Sequence, residues 1–299
     1  VGIATARDPK GAAKETRERL DAKAAKDAAA LTDVMTDWLK RLTNKLSQAK
    51  FRHEADAIIA AATEDIGKDA KVAKAFHDAA LVSQIAGRLD MAQRLQLYAR
   101  QPDIINLSAD EAIEAFRGSQ VYEEKLFAAL LGEVEDRAGS AQADMVDQLR
   151  ERLQAKTLDA LNEGMTFKEF ADALTNPEFN GLGIDESHDG YLRMAFRTNV
   201  NIAYSSGKWD QADEVKNERP YWQYLTLADA HVRTTHRPLD GAVFRFGEAS
   251  TEVFMPPIDF NCRCIWVSLA EVPTGAKLYE AGNVPATFRS ALNPTFVGW

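Results

Sequence analysis

Apolar residues recur at three- and four-residue steps through much of the first half of the chain, the spacing that lines side chains along one stripe of an α-helix. Leu31, Val34, Met35, Trp38, Leu42 and Leu46 form one series, and Phe51, Ala55, Ile58, Ile59, Ala62 and Ile66 form a second. A third runs through Val72, Phe76, Leu81, Ile85, Leu89 and Leu95 until Pro102 stops it. The region is rich in Ala, Leu, Lys, Glu, Gln and Arg, the better helix formers. Each one-sided apolar face needs burial, against its neighbours or against a partner, and the pattern leaves both open.

Further helix boundaries are written in the polar residues. Ser108 with Glu111, and Thr166 with Glu169, have the spacing of a capping box, in which a hydroxyl and a carboxylate each satisfy a free backbone N–H. Gly164 can close the preceding helix, predicted over about residues 141–163, so the stretch Leu161–Leu174 reads as a helical hairpin. Residues 176–190, rich in Asn, Pro and Gly, read as a linker at a domain boundary. A last long helix is predicted from about Tyr191 to Lys216, with Leu192, Ala195, Phe196, Val200 and Ala203 on one side.

After Pro220 the period changes. Tyr221–Leu227, Val243–Phe246 and Ile265–Leu269 read as three strands. Beyond Pro273 no period is evident, and the tail is expected to lie across a neighbour or the domain's own surface. The expected fold is mainly α with a small C-terminal α+β domain: long N-terminal helices, then one helix packed on a short antiparallel sheet. The corresponding divisions are a helical region at 1–178, an α+β domain at 179–272 and an extended tail at 273–299.

Composition narrows the function classes. A length of 299 residues suggests two domains at roughly 150 residues each. The content of 45% hydrophobic and 27% charged residues supports a packed core rather than disorder. A net charge of -9 argues against a surface coated in DNA. Residues 1–50, however, hold 11 Lys or Arg against 7 Asp or Glu. That excess is either a basic arm that touches nucleic acid or a solvated face of mixed charge. No apolar run reaches the roughly 18 to 20 residues of a membrane span, and no leader pattern supports secretion. Cys262 and Cys264 are too few and too close for a disulfide framework, which fits a reducing compartment.

The segment from Leu227 to Cys264 concentrates the chemically capable residues: Asp229, His231, Arg233, His236, Asp240, Cys262, Arg263 and Cys264. Pro256-Pro257 makes a stiff approach to Asn261-Cys-Arg-Cys264, and Asp240-Gly241 has the residues of a tight turn. Three chemistries are open to this set. His236 can act as a general base oriented by Asp229 or Asp240, with Cys262 as nucleophile, although no glycine elbow accompanies the cysteine. His236, Cys262 and Cys264, with His231 or Asp259, can gather around zinc, although Cys-x-Cys lacks the usual two-residue gap. The third reading is structural: the polar residues pin irregular loops to the sheet, and both cysteines act as small buried hydrophobes.

Arg197-Thr-Asn199 lies on the last predicted long helix. It is followed by Trp222-x-x-Leu-Thr-Leu-Ala-Asp229, by Val232-Arg-Thr-Thr-His236-Arg-Pro-Leu-Asp-Gly241, and by Pro256-Pro-Ile-Asp-Phe-Asn-Cys-Arg-Cys264. This order resembles the Mu F-like minor head proteins, or phage head-morphogenesis proteins, over about residues 140–270. The resemblance implies a non-enzymatic virion protein of tailed phages, located inside the head at the portal vertex and linked to head assembly and to DNA packaging or delivery. Its implied partners are the portal and major capsid proteins, with self-association and packaged DNA as further candidates and no membrane. The implied motif residues are Asp229, Arg233, His236, Asp240, Gly241, Pro256, Pro257, Asp259, Asn261, Cys262, Arg263 and Cys264.

One departure from the family pattern shapes the cofactor expectation. Many relatives read Cys-x-x-Cys before Leu-Asp-Gly and His-x-x-Cys-Arg-Cys at the end. The first Cys falls here on Arg233, the second on His236, and the His on Asp259. Arg233 is permanently cationic and binds no metal. The expectation is therefore no cofactor, with an Arg233–Asp259 contact and a His236–Cys262 contact clamping the two loops.

Overall fold

The computed structural model describes residues 9–94, 104–118, 124–174, 191–280 and 282–293. Leu95, Pro102, the linker at 176–190 and the last six residues lie outside them. In chain order the helices are α1 (Pro9–Ala30), α2 (Thr32–Leu46), α3 (Arg52–Gly67), α4 (Ala70–Arg94), α5 (Ala109–Gly118), α6 (Glu124–Asn162), α7 (Phe167–Leu174) and α8 (Tyr191–Asp213). Strands β1 (Tyr221–Leu225) and β2 (Val243–Arg245), the short helix α9 (Ala249–Glu252), β3 (Ile265–Leu269), β4 (Leu278–Tyr279) and the short helix α10 (Ala286–Arg289) follow. The predominantly helical chain with a small C-terminal sheet is the architecture that the periodicity predicts.

The chain packs as two compact units, each assembled from separated stretches. One contains Ala24–Ala79 and Ala129–Phe196, the other Val1–Lys23, Ala80–Ala128 and Arg197–Trp299. The described elements of the first are all helices. Met35, Trp38, Leu39, Leu42 and Leu46 form the buried stripe of α2, and Ala55, Ile59, Thr63 and Ile66 that of α3. The Trp38 indole N–H donates to the Ala62 carbonyl at 2.8 Å. Phe51 leaves its predicted stripe: it precedes α3 and is exposed, while Thr63 takes a buried place and bonds back to the Ile59 carbonyl. Phe167, Phe170, Ala171 and Leu174 give α7 a strong apolar face in contact with α2. The Thr166 capping box forms as predicted, with Thr166 N–H to Glu169 at 2.7 Å and Glu169 N–H to the Thr166 hydroxyl at 3.2 Å.

The second unit holds the sheet, ordered β3-β1-β2-β4. β1 pairs antiparallel with both β2 and β3, in registers that set Trp222 opposite Phe244 and Ser268. The expectation of a purely antiparallel sheet needs correction, because β4 pairs parallel to β2. Its two residues offer too little alternation for a period to be seen, and they come from the tail. Trp222, Phe244, Phe254, Trp266 and Phe288 fill the core of this unit, with Trp222 stacked on Phe244 at 4.4 Å.

Against that core lie the unit's portions of α4 and α8, which touch backbone to backbone. A Cβ on Gly87 would sit 2.0 Å from the Tyr204 carbonyl oxygen, and one on Gly207 would sit 2.0 Å from that of Gln84. Only glycine allows so close an approach. Around the crossing, Arg88 pairs with Asp210 at 2.8 Å and the Tyr204 hydroxyl donates to Asp90 at 2.8 Å. From Ala79 to Leu89 the helix is buried on every side, Ser83, Gln84 and Arg88 included.

Candidate functional site

Two loops of the second unit carry the motif residues. The first runs from β1 to β2. The Thr226 N–H donates to Asp240 at 2.8 Å, and Gly241 turns the chain at φ +80 into β2, its N–H bonded to the Tyr224 carbonyl at 2.8 Å. A single helical turn, Arg237–Leu239, carries Pro238 near its start and has His236 as its N-cap. The second loop runs from α9 to β3 through Pro256, Pro257 and the Asn261–Cys264 hook, with Asn261 in the left-handed region at φ 55. Asparagine tolerates that conformation better than most residues.

The hook is held from α8. Arg197 donates to the Asn261 side chain at 2.7 Å, Thr198 accepts the Asn261 N–H at 2.9 Å, and Asn201 donates to the Cys262 carbonyl at 3.2 Å. The Ser205 hydroxyl donates to the Pro256 carbonyl, and the Lys208 ammonium donates to the Trp266 carbonyl at 2.6 Å. From α1, buried Arg17 donates to the same Cys262 carbonyl at 3.0 Å. Asp21 lies 3.3 Å from Arg17 and 3.1 Å from Arg197, one carboxylate between two buried guanidinium groups. Burial, opposed by Asp21, lowers Arg17 to about 10, which leaves it charged at neutral pH.

The two loops are tied to each other twice at their more exposed side. Arg233 pairs with Asp259 at 3.2 Å and donates to the Phe260 carbonyl at 2.7 Å. Asp259 also accepts from Asn293 of the tail at 2.7 Å, which fixes that part of the tail to its own unit. Arg263 grips Asp229 through both carboxylate oxygens, at 2.6 and 2.7 Å. Burial opposes ionisation of Asp229, but the Arg263 hydrogen bonds and charge, with the His231 N–H, together hold its carboxyl below the usual range.

Beneath these pairs the imidazole of His236 meets both cysteines. Its Nδ1 lies 3.7 Å from Cys262 Sγ and 3.8 Å from Cys264 Sγ, and all three residues are buried. The thiol of Cys264, then the His236 ring, favour the Cys262 thiolate and draw its pKa well down despite burial. The Cys262 sulfur and burial push Cys264 up. The buried Tyr224 hydroxyl meets these sulfurs rather than an oxygen or nitrogen, and burial with their charge raises it well above the ordinary phenol range.

Chemically, this arrangement departs from an acid–base centre. Asp229 is taken by Arg263 and Asp240 by Thr226, and the His236 ring has no carboxylate partner, its Nε2 being buried without one. His231 stays exposed and contributes its backbone N–H to Asp229. Among the described residues, His236, Cys262 and Cys264 are the group whose donor atoms converge as metal ligands would, all within 4.8 Å of one another; His231 and Asp259 are not part of it. Sequence reasoning missed Arg17, Asp21, Asn201, Ser205, Lys208 and Tyr224. Asn201, Ser205 and Lys208 left a trace, as polar positions on the helix that carries Arg197.

Comparison with known proteins shows what this part of the chain is similar to. Residues 151–267 match the family described as Phage Mu protein F like protein. The chain is 27% identical over 141 residues to the Mu-like prophage FluMu F protein of Haemophilus influenzae, covering 45% of this chain and 34% of that protein. It is 26% identical over 142 residues to the "Putative capsid assembly protein F" of Escherichia phage Mu, covering 42% of this chain and 31% of that one. The chain thus spans about a third of the length of these relatives. No solved structure matches it. The stretch that is similar to the Mu F-like family, residues 151–267, includes α8, both motif loops and the buried His-Cys-Cys group.

Proposed function

We propose that this chain is a structural head protein of a tailed bacteriophage or prophage, acting in head assembly at the portal vertex inside the head and contributing to DNA packaging or delivery. The observation that carries the reading is the Mu F-like match over 151–267, with one of the relatives bearing the name of a capsid assembly protein. The site supports a scaffold role, since its charged side chains are spent on holding two loops, α1 and α8 together. The proposed partners are the portal and major capsid proteins, together with further copies of this chain, and the proposed location is the virion. No described helix is long and apolar enough to cross a membrane.

Packaged DNA is a further proposed partner, through the basic excess in residues 1–50. Arg17 and Lys23 are buried, so the excess available to phosphates is smaller than the composition suggests. The test is cross-linking mass spectrometry on purified particles of the phage or induced prophage that encodes the chain. The expected result is peptides of this chain in finished heads, cross-linked to portal protein. Particles that lack the chain would overturn the reading. A gel shift that weakens steeply with salt supports the DNA contact, and an absent or salt-insensitive shift removes it.

A further inference from the structure

We propose that His236, Cys262 and Cys264 form a mononuclear site for a thiophilic divalent cation of the zinc class, bound through the Nδ1 nitrogen and both sulfurs. The inference is independent of the head-assembly reading and rests on the geometry of these side chains alone.

Both sulfurs approach the same nitrogen, at 3.7 and 3.8 Å. One imidazole nitrogen carries either one N–H or one lone pair, so it completes one good hydrogen bond, not two. A hydrogen-bonded cluster would leave one of the two sulfurs without the nitrogen, held only by the other sulfur and by Tyr224. A cation at the centre satisfies all three donors together. With metal–sulfur bonds of about 2.3 Å and metal–nitrogen bonds of about 2.0–2.1 Å, the sulfur–nitrogen edge is about 3.6 Å at a tetrahedral angle and about 3.8 Å at a trigonal one. The observed separations fall at the trigonal end of that span.

The donor types agree with the geometry. Thiolate and imidazole select zinc-class ions over magnesium or calcium, which require oxygen. The Tyr224 hydroxyl lies beside both sulfurs and has no oxygen or nitrogen partner of its own. The Arg233–Asp259 pair does not displace the ion, because it ties the loops at a more exposed level and leaves the buried donors untouched. His236 Nε2 has no partner behind it, so the ring lacks the supporting hydrogen bond that usually strengthens a histidine ligand. The affinity should accordingly fall below that of a zinc site with a fully bonded second shell.

The experiment uses the full chain, reduced and stripped of metal, titrated with zinc against a chromophoric chelator and separately with cobalt(II). The expected result is one ion per chain, a thiolate-to-cobalt charge-transfer band in the near ultraviolet, and a melting midpoint that rises with zinc concentration. Cys264→Ser should abolish the charge-transfer band and stoichiometric uptake, whereas Arg233→Ala should retain both. Wild-type protein that is folded by circular dichroism yet takes up neither zinc nor cobalt overturns the proposal, whatever the variants do. So does a Cys264→Ser protein that binds as wild type does.

Discussion

The two compact units solve burial in opposite ways. In the helical unit the interior is filled by aliphatic and aromatic stripes, and the few buried hydroxyls, such as Thr63 and Thr157, bond back to their own helix. In the sheet-bearing unit the aromatic core is bordered by buried Arg17, Arg88, Arg197, Lys208 and His236. Each of the four cations meets a named carboxylate or carbonyl. Apolar packing is tolerant, because a hydrophobe of similar volume serves almost as well. A buried charge network is not, because removal of one partner strands the others. The comparison predicts that the two units answer different kinds of substitution.

Four measurements break or sharpen it. Asp21→Ala leaves the Arg17 and Arg197 guanidinium groups facing each other without their shared carboxylate, and should cost about 3–5 kcal/mol in chemical denaturation. Ile59→Ala, fully buried in the helical unit, should cost about 2–5 kcal/mol, while Ile59→Leu should stay under about 1.5 kcal/mol. An equally gentle response to a same-size exchange at Asp21, to Asn, would erase the contrast. Gly207→Ala drives a methyl group into the Gln84 carbonyl and should cost about 1–3 kcal/mol, read as a lowered melting midpoint.

The smallest effect is a pH dependence. Asp229 has its carboxyl pKa lowered in the folded state, so its pairing with Arg263 stabilises the protein above the unfolded carboxylate pKa of about 3.9 and is lost as pH falls through the lower folded value. The Asp229 side chain is 37% exposed, which screens the pair and holds the effect under about 1 kcal/mol. Asp229→Asn should therefore flatten the acid limb of the stability curve slightly. An unchanged limb would leave the Arg263 grip without energetic weight.

The same contrast explains what the sequence disclosed. Helices α2, α3 and α7, and the Thr166 cap of α7, were legible because a 3.6-residue period and a capping box are local signals. The strands were legible because β1, β2 and β3 are rich in aromatic and β-branched residues. The cluster of His236, Cys262 and Cys264 was visible as rare residues close together in the chain. Its supports were not: Arg17 reaches Cys262 across 245 positions, and nothing near Arg17 marks it as anything but one more charge on an Ala-rich helix. Gly87 and Gly207 were equally silent, since a glycine in a helix declares no purpose until the opposing backbone is known. β4 was too short to show a period.

The bond from Arg17 to the Cys262 carbonyl also orders events in time. A chain made from its N-terminus exposes α1 long before the hook that receives it has been synthesised. Until some 245 further residues have followed, the Arg17 guanidinium has no carbonyl to enter and must remain in water. The sheet-bearing unit therefore closes only after Cys262 has been made, and a chain cut short before that residue can mature the helical unit but never the polar interior of the sheet-bearing one.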